Sequence, residues 1–141
     1  MLRLLTALFF SLMILGPSIA KDLATPERLA VQQVISGQLE AFKADNGPLA
    51  YSYAAPIVTK VFPTVDIFMK MVKNGYQAVY TNSKYKFGEI ITDTLGRPAQ
   101  HVTITAGDGK RYEAIYAMEM QPDGSWKIAG VQMVEIPGVN A

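Results

Sequence analysis

Apolar residues recur at helical spacing as far as Tyr76 and at every second position from Gln77 onward, and no single element can satisfy both periods. The chain therefore divides into a helical half followed by a sheet half. Thr25-Pro26-Glu27 predicts a helix start, with Thr25 as N-cap, Pro26 in the first helical position and Glu27 near the positive end of the helix dipole. Val31, Val34, Ile35, Leu39 and Phe42 then share one face of a 3.6-residue period, and this helix is expected to end near Asp45-Asn46-Gly47. Pro48 and Pro56 read as first-turn prolines of two short helices, 49–54 and 57–62. Pro63-Thr64 opens a third, in which Val65, Phe68, Met69 and Val72 share a face before Gly75 closes it. Strands are predicted at 78–81, 85–93, 101–106, 112–121 and 125–135, with hairpin turns at Asp108-Gly109 and Pro122-Asp123-Gly124. Tyr112, Ala114, Tyr116, Met118 and Met120 alternate with Arg111, Glu113 and Glu119, so the first set should face the helices, as should Val102, Ile104 and Ala106 one strand earlier. The predicted class is α+β: a cone-like half barrel with the N-terminal helices packed on the concave face of a curved antiparallel sheet.

The first twenty residues stand apart from this plan. Arg3 supplies a positive n-region, 4–15 is an apolar-biased run, Gly16-Pro17 breaks its helix, and Ser18-Ile19-Ala20 presents a small-x-small cleavage pattern. These features predict a signal peptide over 1–20, cut before Lys21, and one domain over 21–141 that is exported to the periplasm or cell exterior. The apolar run is shorter than the roughly 20 residues that span a bilayer, so no stable membrane anchor is expected after cleavage. With no cysteine in the chain there is no lipid-modified thiol, thiol chemistry or disulfide, and an exported domain of this kind relies on packing alone. Removing Arg3 from a balance of 13 basic against 12 acidic residues leaves 12 against 12. The basic residues are scattered among acids and apolar positions, which excludes a nucleic-acid partner held by clustered Lys and Arg.

Few residues point to chemistry. His101 is the only histidine, and alternation with Val102 and Ile104 sends it to solvent with Thr103 and Thr105. One histidine and no cysteine leave no metal-ligand spacing and no nucleophile with its base; no metal and no cofactor are expected. Glu89 shares parity with Phe87 and Ile91, which turns its carboxylate inward as a candidate general base with a raised pKa, unless Gly88 marks a bulge that reverses the parity. Asp45 reads as a helix closer. Tyr53, Tyr76, Tyr116 and Met118 are candidate ligand-binding residues, offering apolar bodies with polar tips or an adaptable thioether to a cavity. Trp126 and Ile128 stand on one face of the last strand, which predicts a buried Trp126.

The element order and the closing segment Asp123-Gly124-Ser125-Trp126-Lys127-Ile128 resemble the nuclear transport factor 2-like, or SnoaL-like, superfamily. More narrowly, Gln38-Leu39-x-Ala41-Phe42-x-x-Asp45, Ala50-Tyr51-Ser52-Tyr53-Ala54-x-Pro56 and Phe68-x-x-Met71-Val72-x-x-Gly75-Tyr76 resemble an exported family known as domain of unknown function 4864. The resemblance implies a cone-shaped α+β fold. It also implies a superfamily in which isomerases, dehydratases and cyclases stand beside non-catalytic binding domains, and no position here matches a catalytic motif of those enzymes. The expected function is an exported domain that binds an apolar small molecule or acts as an accessory module. Two alternatives are a cofactor-free lyase or isomerase using Glu89, and a structural homodimer that buries its open sheet face.

Overall fold

The structure is a computed structural model, and it describes residues 23–138. The signal peptide expected over 1–20, with its cleavage point, lies outside the described residues. The helical half comprises α1 (Thr25–Lys43), α2 (Gly47–Ser52), α3 (Pro56–Val61), α4 (Val65–Gly75) and α5 (Gln77–Tyr80). The sheet half comprises β1 (Lys84–Thr92), β2 (Pro98–Thr105), β3 (Arg111–Met120) and β4 (Trp126–Ile136), an antiparallel meander in the order β1-β2-β3-β4. This is the predicted α+β arrangement, helices against one face of a curved, unclosed sheet.

Helix α1 starts one residue earlier than its proline suggests. Ala24 is the N-cap, and the Glu27 carboxylate accepts its N–H at 3.1 Å, so the acid serves the orphan donors directly. The α1 face of Val31, Ile35, Leu39 and Phe42 is fully buried, together with Gln38 and Ala41. Asn46 caps α2 by accepting from the Leu49 N–H at 3.1 Å, and Thr64 caps α4 by accepting from Ile67 at 3.2 Å. In α4 the predicted face is buried at Phe68, Met69 and Val72. The predicted strand at 78–81 is instead the single helical turn α5, which buries Ala78 and Val79. Asn82 behind it is buried and donates its amide to the Leu39 and Val79 carbonyls at 3.1 and 2.7 Å, tying α5 to α1.

The sheet's inner face carries Gln100, Val102, Ile104, Ala114, Tyr116, Met118 and Ile128, all buried, and together with the α1 and α4 faces these form the core. Hairpin turns fall where expected, with Gly109 and Gly124 at positive φ, conformations that L side chains resist. Trp126 departs from expectation. It is half-buried at the edge of the core, because it is the first residue of β4 and borders an open recess beside the turn residues Gly124 and Ser125.

Two bulges bend the sheet. In β4 Ala129 is an extra residue between the pairs Met118–Ile128 and Ala117–Gly130. In β1 Gly88 and Glu89 together oppose His101, between the pairs Phe87–Val102 and Ile90–Gln100. The bulge reverses the parity of Glu89: its side chain is exposed and does not turn inward, which corrects the expected buried carboxylate. Gln100, fully buried, completes the bulge with its amide nitrogen, which donates to the carbonyls of Gly88 (3.0 Å), Glu89 (3.2 Å) and His101 (2.8 Å). Its amide oxygen accepts from Gln32 of α1 at 3.2 Å.

At the other end of α1, Asp45 adopts φ +50° and closes the helix against α4 and α5. Its carboxylate accepts from the Tyr80 hydroxyl at 2.9 Å and pairs with Lys73 at 3.4 Å. The Tyr80 hydrogen bond, with Lys73 behind it, holds the Asp45 carboxyl below the usual aspartate range.

Two outcomes are expected. Gln100→Ala leaves a cavity and bulge carbonyls without their donor, and should cost about 2–4 kcal/mol in urea unfolding; a change within about 0.5 kcal/mol, typical of an indifferent surface site, would contradict the role given to this amide. A folded pKa below the unfolded value makes Asp45 stabilising above the unfolded pKa of about 3.9, and this contribution disappears as pH falls through the folded value. Tyr80→Phe should raise the Asp45 pKa in a carboxyl NMR titration and flatten that acid-side loss of stability, whereas an unmoved titration would show that the hydroxyl is not the cause.

Candidate functional site

The helices do not fill the concave face completely. Between α3, α4 and the bulged part of β4 lies a pocket of about 360 Å³. Each helix contributes residues at the spacing of its own period. Gln38 and Phe42 come from α1, Ile57, Val58 and Val61 from α3, and Phe68, Met71 and Val72 from α4. Tyr76 and Val79 follow, and the far wall is Ile128, Ala129, Gly130 and Val131 of β4.

The pocket exists because α3 packs loosely. Its six residues include none that is buried, and Ile57 and Val61 remain 60% and 66% exposed at the pocket rim. Prolines bracket it: Pro56 starts the helix and Pro63 follows its end. Its C-terminal end is fixed by the Tyr51 hydroxyl, which donates to the Phe62 carbonyl at 2.7 Å, while the Tyr51 ring meets Phe68 edge-on at 5.3 Å. Its N-terminal end is fixed by sheet pairing. Segment Tyr53–Ala55 runs parallel to β4, with the Ala55 N–H donating to the Ile128 carbonyl at 2.8 Å and the Ile128 N–H to the Tyr53 carbonyl at 2.8 Å. Both ends of α3 are therefore tethered and its middle stands off the sheet.

Among the described residues, none that lines this pocket is an acid, a lysine, an arginine or a histidine; the polar side chains present are the Gln38 amide and the Tyr76 phenol. Gln38 donates to the Ala50 carbonyl at 3.1 Å, which orients the amide. A site of this composition removes apolar surface from water and orients it with one or two neutral hydrogen bonds; it offers no strong base, acid or charge.

Of the candidate ligand residues, Tyr76 lines the pocket and the others do not. Tyr116 and Met118 are fully buried in the core beneath the sheet, and burial pushes the Tyr116 phenol well above its usual value, its hydroxyl having no hydrogen-bond partner. Tyr53 packs over Gly37 of α1, where any Cβ would fall on its hydroxyl, and it borders a separate shallow recess with Trp126 and Val34. Glu89 lies at the opposite edge of the sheet, in β1. His101 occupies the convex face as expected, where its Nδ1 lies 2.8 Å from a Glu113 oxygen and Thr103 donates to the other at 3.4 Å. Among the described residues no cluster of three or more His, Asp or Glu side chains could hold a metal ion.

Ile57, Val58 and Val61 were not singled out by the sequence pattern, although α3's apolar i, i+1, i+4 set on a helix too short to bury itself was a visible signal. No curated protein and no solved structure matches this chain. The family model described as Domain of unknown function (DUF4864) matches residues 24–141, and the chain belongs to that family.

Proposed function

We propose that this protein is an exported binding module that takes up an apolar group in the pocket between α3, α4 and β4. The observation that carries the reading is the lining itself: apolar side chains on every wall, two neutral polar groups, and a rim of exposed Ile57 and Val61 that has no role in the core. An exposed aliphatic pair beside a preformed cavity loses water contact when the cavity is occupied, which favours association by about 25 cal/mol per Å² of apolar surface covered. Export rests on the signal-type segment of 1–20, and the cone-like superfamily resemblance is consistent with the curved sheet. The lyase or isomerase alternative has less support, since Glu89 is exposed at the far edge of the sheet and the pocket holds no carboxylate. The homodimer alternative would use the convex face, whose centre is the His101–Glu113 pair.

The neutral fluorescent dye Nile red tests the reading. The wild-type protein should bind it with a blue-shifted emission and with an affinity insensitive to salt, as a pocket without charge requires. Val58→Trp, which places an indole in the pocket from the half-buried side of α3, should weaken the dye by about tenfold, the equivalent of about 1.4 kcal/mol. Equal affinity in the variant, or binding that falls with salt, would contradict the assignment.

A further inference from the structure

The pocket has a wall of backbone whose outer edge, beyond Ile128, no other described residue pairs with. In an antiparallel pair the residues alternate between those whose N–H and C=O point to the partner strand and those whose groups point away. Ile128 points away from β3, since its N–H and C=O bond to Tyr53 and Ala55 instead. The Gln121 N–H donates to the Ser125 carbonyl at 2.7 Å across the β3–β4 turn, which sets the same alternation from the other end: 121 pairs inward, Met118–Ile128 does not. Past the Ala129 bulge, Ala117–Gly130 is the inward pair, and Val131, Met133 and Glu135 therefore direct their N–H and C=O groups to the free edge. Among the described residues no strand pairs with that edge beyond Ile128.

The two edges of the sheet are treated differently. β1 is guarded in the ways edge strands usually are, with Lys84 and Lys86, a bulge at Gly88-Glu89 and an exposed acid. β4 from Val131 to Ile136 has one charged residue, Glu135, and no proline until Pro137. Two depressions also lie beside β4. Tyr76 lines both the main pocket, whose β4 wall ends at Val131, and a second recess of about 220 Å³ whose β4 residue is Met133. The two depressions thus adjoin through one tyrosine and lie two residues apart on β4, a repeat of roughly 6.6 Å, which is the spacing of side chains on one face of an extended chain.

We infer that β4's free edge and the pocket form one site, which binds an extended segment of a partner polypeptide by strand addition, with uncharged apolar side chains at alternate positions entering the main pocket and the Met133 recess. The inference rests on the apolar-pocket reading and names what presents the apolar group. A small apolar molecule would fill the pocket and leave the outward N–H and C=O groups of Val131, Met133 and Glu135 in water, whereas a peptide strand supplies the alternating donors and acceptors that this edge presents. The protein's own chain already demonstrates the mode: Tyr53–Ala55 adds to β4 at Ile128, and a partner strand would continue that line over the pocket. With no ionisable carboxyl, ammonium, guanidinium or imidazole in the main pocket, the anchoring side chain is Leu, Ile, Met or Phe.

Amide hydrogen exchange on the full mature chain decides this. The probes are Nile red and a pool of capped heptapeptides with Leu, Ile, Met or Phe at two alternate positions and Thr or Ser elsewhere. The peptide pool should slow exchange of the Val131, Met133 and Glu135 amides by at least about tenfold, while Nile red should occupy the pocket without protecting them. Met133→Pro removes one outward N–H while leaving the β3–β4 ladder intact, and should weaken the peptides by about tenfold with Nile red affinity preserved. Glu135→Pro, whose outward N–H lies outside the pocket lining, provides the same test two residues on, should the first variant unfold. Peptide binding with unprotected edge amides, binding indifferent to both proline variants, or dye binding without peptide binding would each overturn the strand-addition inference and leave the pocket reading standing. Failure of dye and peptides together would overturn both.

Discussion

The curvature of the sheet depends on a buried amide. A bulge leaves backbone carbonyls without ladder partners, and such groups, away from water, cost about as much as a lost hydrogen bond unless a donor reaches them. Gln100 supplies that donor to Gly88 and Glu89, and its oxygen meets Gln32 of α1, so one side chain fixes the bend of β1 and the placement of the longest helix against it. A polar group at this depth is stable because both ends of its amide are satisfied. The bent sheet then offers α1 a concave face wide enough for Val31, Ile35, Leu39 and Phe42 to bury completely.

The Ala129 bulge bends the other edge and has a different consequence. It lies where Tyr53–Ala55 pairs with Ile128, which anchors the start of α3 to the sheet, while Tyr51 anchors its end through Phe62. A six-residue helix held at both ends cannot settle onto the sheet between them, and the space left is the pocket. Among the described residues the pairing on the outer edge of β4 ends at the same bulge, so the pocket and the open edge lie side by side.

Much of the fold was legible because it is local. The change of period marked the boundary between the halves, the caps and prolines of α2, α3 and α4 carried their own signatures, and the Gly turns set the hairpins. The misreadings are those in which a neighbour decides. Ala78 and Val79 are too few to distinguish a strand from the single turn α5, and it is packing on α1 that makes them helical. Glu89 followed strict alternation until two residues opposed one, a register event that only the partner strand reveals. Alternation correctly put Tyr116 and Met118 on the inner face, but it cannot say whether an inner face meets protein or a cavity. Only Tyr76 of the ligand candidates reaches the pocket, because the cavity is made by α3, whose position depends on contacts with Ile128 and Tyr51 far from its own sequence.

The central claim is that α3 stands off β4 and leaves an apolar pocket able to accept a guest. Apolar space of this kind takes up xenon, whereas polar or collapsed space does not. Crystals of the protein pressurised with xenon should show the gas bound among Phe42, Val72 and Val131. A xenon-free map with α3 collapsed onto β4, or ordered waters filling that space, would contradict it.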